Sequence, residues 1–236
     1  MKKLAIIGCS HSNGVMLTAP PEQKPVRCLN YMHQEMLEWG YWKGWPHDIY
    51  EKYNYETYVY SYPGGGIQDA FFTLSYFLSN NIYYDKIILQ LSSEPRWNYY
   101  PMEATFQFKK FPKPSKEMFF RMLPCWDPMT RKEAEIEGGY YEMYTRNLLN
   151  VINYLPFDIL AFSWHNFGTK TNLEYIIPKE GFSDWLEKKL GKKQYTLHKV
   201  DYIIDGQKFY GSHLDEEAQK YITEDYYKNE LDKFLK

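Results

Sequence analysis

Leu4-Ala5-Ile6-Ile7-Gly8-Cys9-Ser10-His11-Ser12 is the stretch on which the reading of this chain turns. An apolar run that ends in a small residue and then a serine reads as a short buried strand delivering a hydroxyl to the carboxyl edge of a sheet. Open α/β proteins put their ligands at that edge. Gly-x-Ser after a strand is also common in inert turns. Ser10 therefore gains weight only if the rest of the chain brings a base and an oxyanion site to the same edge.

Outward from this stretch, a polar, proline-containing loop covers Asn13 to Pro25, and Arg27 to Trp39 has the apolar spacing of an amphipathic helix stopped by Gly40. Tyr41 to Tyr55 is an aromatic connection with no clear period, and Thr57 to Tyr62 is β-branched and aromatic, a second strand. Pro63-Gly64-Gly65-Gly66 follows at once, and Ile67 to Leu78 is a helix with Ile67, Phe71, Leu74 and Phe77 on one face. Strand, glycine turn and helix together aim backbone N–H groups at an anion. Lys86 to Leu91 is the third strand, closed by Ser92-Ser93-Glu94-Pro95-Arg96. Trp97 to about Gly138 is a long excursion, with a short helix around Lys116 to Met122. A loop that long inside a compact domain is usually functional.

Tyr140 to Tyr154 is helical, and Phe157 to Ser163 is the fourth strand, ending at Trp164-His165-Asn166. A second excursion, Phe167 to about Lys199, holds a short helix at Ser183 to Leu190. Val200 to Tyr210 is strand-like and interrupted by Asp205-Gly206, a hairpin or tight-turn signal. Leu214 to Leu235 is the closing helix. Short apolar strands alternating with helices imply a parallel sheet covered on both faces, and right-handed crossovers put every strand's carboxyl end on one edge. No repeat or break in composition divides the chain, so residues 1–236 are expected to form one domain.

The bulk numbers exclude several classes. The 236 residues are 25% charged with a net charge of −2, which gives no reason to expect a nucleic-acid partner. Three cysteines, Cys9, Cys28 and Cys125, have no framework spacing and suit a reducing compartment. Met1-Lys2-Lys3 opens like a signal peptide, but the apolar run ends at Gly8, too soon for one. No segment is long and apolar enough to span a membrane, so a soluble protein with no membrane partner is expected. The histidines are scattered, no Cys/His spacing fits zinc, and no metal is expected. Aromatic residues reach 19%, with 24 Tyr. That excess suits either a sugar- or protein-binding surface or a plain bias towards Tyr, Lys, Asn and Ile.

The last element completes a constellation. His213 stands just before the closing helix, in Gly211-Ser212-His213-Leu214-Asp215-Glu216-Glu217-Ala218-Gln219. From there an imidazole can lean over the strand edge and act as general base towards a serine on the first turn. In this order the blocks resemble those of the SGNH (GDSL-type) hydrolases, and the resemblance covers nearly the whole chain. It implies a flavodoxin-like, three-layer α/β/α fold with long loops over the carboxyl edge. Gly8-Cys9-Ser10-His11-Ser12 resembles the first block, with Ser10 in the nucleophile position. Pro63-Gly64-Gly65-Gly66 resembles the second, which implies an oxyanion-hole N–H at Gly64, with Gly65 the next choice, beside that of Ser10. Gln90 to Glu94 stands where the family has Gly-x-Asn-Asp, and His213 takes the place of the family's base.

The chain departs from the family at three points. Cys9 replaces the aspartate that braces the first turn. The oxyanion asparagine is missing, with Glu94 at or beside its place; Arg96 is the candidate to replace it as donor or to pair with Glu94. Removing one such donor typically costs roughly 10²–10³ in turnover. The aspartate expected three residues before the histidine is Tyr210, which leaves Asp205, then Asp201, or a backbone carbonyl to orient His213. His11, Glu94, Trp164 and His165 are candidate substrate contacts.

The resemblance implies a cofactor-free serine esterase whose substrate is a small or glycan-linked ester. The missing asparagine and aspartate support the other class, an SGNH-like scaffold impaired in turnover that serves as a binding or structural module. The Ser-Ser-Glu-Pro-Arg variant and the Tyr, Lys and Asn bias are similar to SGNH-like proteins of tailed phages. The expected place is therefore the cytoplasm, or a virion into which the chain assembles.

Overall fold

The computed structural model describes residues 1–9, 11–12, 44–62, 66–92, 109–110, 118–122, 146–165, 172–204 and 207–236. At 62, 109–110, 118–122, 200–204 and 207–212 it describes the backbone. The expected loop 13–25, the expected helix 27–39 and most of the excursion 97–138 lie outside the described residues.

The first strand is the middle of the sheet. β1 (Lys2–Cys9) pairs in parallel with β2 (Tyr55–Tyr62) from Lys2↔Tyr55 to Cys9↔Tyr62. On its other side it pairs with β3 (Lys86–Leu91), Leu4↔Lys86 to Ile7↔Leu89. β4 (Lys109–Lys110) is a two-residue antiparallel edge on β5 (Met118–Met122), which lies parallel on β2. β6 (Ile159–Ser163) lies parallel on β3, and the order is β4-β5-β2-β1-β3-β6. The chain thus steps from β1 to one side and returns across it to the other. Connections on the two sides of such a switch leave by opposite faces, which opens a crevice at the carboxyl end of β1.

Alternation of side chains along β1 divides the core in two. Leu4 and Ile6 face α1 (Trp45–Lys52), α4 (Phe182–Leu190), α5 (Lys192–Leu197) and the C-terminal helices, with Ile88, Phe162 and Trp164 beside them. Ala5 and Ile7 face α2 (Ile67–Ser79) and the helix α3, described over 146–152, together with Leu89 and Ala161. Both faces of the parallel strands are covered, as their unbroken apolar runs require. The fold is a three-layer α/β/α sandwich, as the sequence predicts. Among the described residues no helix is long and apolar enough to cross a membrane.

Strand β3 has the expected bounds; β1 is two residues longer at each end, β2 starts two residues earlier, β6 starts two residues later and α2 ends one residue later. Three elements differ in kind. Residues 116–122, expected to be helical, contain strand β5; a short apolar run such as Met-Phe-Phe-Arg-Met carries too little period to separate the two. Tyr41 to Tyr55, expected to lack structure, contains α1, which has proline in its first turn and buries Trp45 and Ile49 one turn apart. The expected closing helix starts later, after the antiparallel hairpin of β7 (Lys199–Ile204) and β8 (Gln207–Leu214), and it is segmented. Its parts are α6 (Glu216–Tyr221), a π-helical turn (Ile222–Tyr226) and α7 (Lys228–Leu235). Tyr226, the last residue of the π turn, and Tyr227 after it both turn inward against Phe162.

Phe162 is fully buried and also meets Trp45 edge-on, so Phe162→Ala should cost about 3–5 kcal/mol in urea denaturation. Asp48 of α1 accepts a hydrogen bond from Thr223 Oγ1 (3.2 Å), and burial raises its carboxyl above the usual carboxylate range. A raised folded pKa favours the fold below the ordinary value and loses that contribution as pH climbs through the raised one. Asp48→Asn should therefore gain thermal stability relative to wild type as pH rises above about 4, the ordinary carboxylate value.

Candidate functional site

The carboxyl ends of β1, β3 and β6 lie side by side, because Ile7 is level with Leu89 and Leu91 with Ser163. The turn after β1 is closed by the Ser12 N–H, which donates to the Cys9 carbonyl (2.9 Å) across the two residues between them. Gly8 makes room for this fold-back. A Cβ there would overlap the Ser12 hydroxyl and lie 2.9 Å from Gln90 Oε1. Gln90, buried at 3% exposure, reaches the turn from β3. Its Oε1 accepts from Cys9 N–H (3.1 Å), Cys9 Sγ (3.1 Å) and Ser12 Oγ (3.0 Å).

His11 leaves this turn and stacks on Trp164, with centroids 3.8 Å apart and planes at 17°. Trp164 is fixed by its N–H to the Leu91 carbonyl, by its carbonyl to the Ser183 N–H (both 2.8 Å), and by its contact with Phe182. His213 lies 4.8 Å from His11, ring centroid to ring centroid. The local sequence explains how it gets there. Leu214 is buried in the core, Asp215 caps α6 through Ala218 N–H (2.8 Å), and Asp215 N–H donates to the His198 carbonyl (2.8 Å). The end of β8 is thereby pinned, and His213 meets the turn from across the sheet edge.

The structure brings together three of the expected site residues: His11, Trp164 and His213. His11 and Trp164 are 5% and 4% exposed, so these two expected substrate contacts present little surface. His165 is the open one, its side chain 49% exposed and its Nδ1 3.9 Å from Asp184 Oδ2. Gly181 packs against its backbone so closely that a Cβ would overlap it. Ser10, Gly64, Gly65, Glu94, Arg96 and Asp205 lie outside the described residues. At the start of α2 the Gly66 N–H donates to Asp69 Oδ2 (2.6 Å). One of the N–H groups expected to await an anion is therefore already engaged within the chain.

Three features escaped the sequence reading. Gln90 as the partner of the first turn had a signal, a lone amide in the apolar run Lys86-Ile87-Ile88-Leu89-Gln90-Leu91. The carboxylate beside His165, Asp184, is nineteen residues away on α4 and left none. Asp215, two residues after His213, is committed to His198 Nδ1 (3.0 Å) as well as to the helix cap. Among the described residues no group of three His, Cys, Asp or Glu side chains is placed to hold a metal ion.

Comparison of the chain with protein-family models and with curated proteins gives no match.

The two close approaches should respond differently to a methyl group. At Gly8 the obstacle is chiefly a side chain that can rotate, whereas at Gly181 it is backbone. Gly181→Ala should destabilise by about 1–3 kcal/mol, and Gly8→Ala by less, in thermal denaturation.

Proposed function

We propose that the chain is a serine esterase of the SGNH type acting on a small or carbohydrate-linked ester. The observation that carries this reading is the contact between His213 and His11, the residue next to Ser10, at the switch point of a parallel sheet. In this reading Ser10 Oγ attacks the ester carbonyl while His213 takes its proton. The tetrahedral oxyanion is held by the backbone N–H groups of Ser10 and Gly64, with Gly65 and Arg96 as further donors. His213 returns the proton to the leaving alcohol. Water, deprotonated by His213, then attacks the acyl-enzyme and releases the acid, restoring Ser10. Asp205 is the candidate to orient His213, Glu94 and His165 to contact the substrate, and His11 and Trp164 to wall the site. The reaction needs no cofactor.

A second reading has support of its own. The carboxylate nearest to His213 in the chain, Asp215, is spent on His198 and on the cap. A carboxylate committed elsewhere cannot sharpen the base, and with turnover impaired the scaffold would serve as a binding or structural module, such as a component of a phage particle.

Hydrolysis of p-nitrophenyl acetate separates the two. Under the esterase reading Ser10→Ala and His213→Ala each lower kcat by about 10³-fold or more, and Ser10→Ala abolishes fluorophosphonate labelling. Equal rates in wild type and Ser10→Ala sink the esterase; labelling of Ser10 in the wild type sinks the inert module.

A further inference from the structure

We infer that Gln90 is the positioning residue of the nucleophile turn, holding from the neighbouring strand the loop that carries Ser10. The inference rests on the esterase reading for its catalytic meaning, and on geometry for the brace itself. Three donors from the turn converge on one atom: Cys9 N–H, Cys9 Sγ and Ser12 Oγ, all within 3.1 Å of Oε1. The backbone N–H of Cys9 can only donate, so the amide atom facing it is the oxygen, and the orientation of Gln90 is fixed. Ser12 is fully buried, and its own N–H closes the turn on the Cys9 carbonyl. The residues on either side of Ser10 and His11 are thus tied to β3 at one point and to each other at a second.

What else Gln90 does in the core is little. Its Nε2 is buried and has no hydrogen-bond partner among the described residues, so the paired half of the amide serves the turn alone. An apolar residue would suit the strand better, since a buried, unpaired N–H costs stability. Gly8, between the amide and β2, has no side chain to block the reach: a Cβ at that position would stand 2.9 Å from Oε1. The first turn has Cys9 where the resembled family braces itself with aspartate, and here the acceptor comes from the adjacent strand instead. A nucleophile displaced by even about 1 Å can lose on the order of 10² in rate.

The test compares wild type, Gln90→Leu, Gln90→Glu and Ser12→Ala by two readouts. These are the rate of fluorophosphonate labelling of Ser10 and hydrogen exchange in the peptide containing Cys9, with thermal unfolding confirming that each variant folds. Gln90→Leu should slow labelling on the order of 10²-fold and speed exchange at Cys9. Gln90→Glu, which keeps the acceptor at the same reach, should restore both. Ser12→Ala, which removes one donor and leaves Gln90 in place, should slow labelling about 2- to 10-fold. Labelling of a folded Gln90→Leu within about twofold of wild type overturns the inference, as does failure of Gln90→Glu to rescue. If Gln90→Leu does not fold, Ser12→Ala and Gln90→Glu decide alone. If the wild type is not labelled, the esterase reading fails, and exchange at Cys9 then decides the brace: faster in Gln90→Leu supports it, unchanged overturns it.

Discussion

Hydrogen bonding along both edges of β1 is the constraint from which the rest follows. Its backbone is paired with β2 on one side and β3 on the other, and its side chains are buried on both faces. A strand in that position cannot slip, because a one-residue shift would exchange Leu4 and Ile6 for Ala5 and Ile7 between two differently shaped cores. Its carboxyl end is thus among the most firmly fixed points of the molecule. The crossing of the chain from β2 back to β3 also makes it the point where the covering helices part. A turn anchored there is held by the sheet yet opens on a crevice.

The two cores support that edge differently. The face towards α2 is aliphatic around Leu74, Leu89 and Ile152, with Tyr60 and Phe77 among the larger members. The opposite face is built on large rings: Trp45, Phe162, Trp164, Phe182, Tyr226 and Tyr227. Aromatic contacts run continuously from Tyr226 through Phe182 to Trp164 and on to His11. Ring contacts of this kind contribute about 0.5–1.5 kcal/mol each beyond their area, and they prefer defined geometries. Part of the unusual aromatic content is therefore spent inside, on orienting the wall of the site. The end of the π turn at Ile222–Tyr226 adds two consecutive tyrosines, Tyr226 and Tyr227, to the same cluster.

The layers and the placement of His213 near the first turn were legible because each rests on a local signal. Apolar runs marked the strands, turn residues marked their ends, and Asp205-Gly206 marked the hairpin that delivers His213. Short elements were not legible. Trp45–Lys52 is two turns long, and Met118–Met122 is a strand only because β2 has an edge to pair with. Pairing is a tertiary fact that no window of sequence contains. Within the site, Gln90 was visible as an anomaly, a lone amide in an apolar strand, but its partners were 78 and 81 residues away. The pairing of Asp215 with His198 was hidden for the same reason.

These last two residues divide the work at the edge in a way the resemblance alone does not suggest. Where the resembled pattern has an aspartate bracing the first turn, this chain has Cys9, and the acceptor comes from β3 through Gln90. Asp215, the carboxylate closest in sequence to His213, is turned the other way, onto Ala218 N–H and His198 Nδ1. It fixes where β8 ends and α6 begins, and so fixes His213 through the backbone rather than by touching its ring. Both arrangements spend polar groups on position. If the proposed esterase holds, the group that orients His213 would be Asp205 or a backbone carbonyl, and how strongly that partner holds the imidazole would set how far Ser10 is activated.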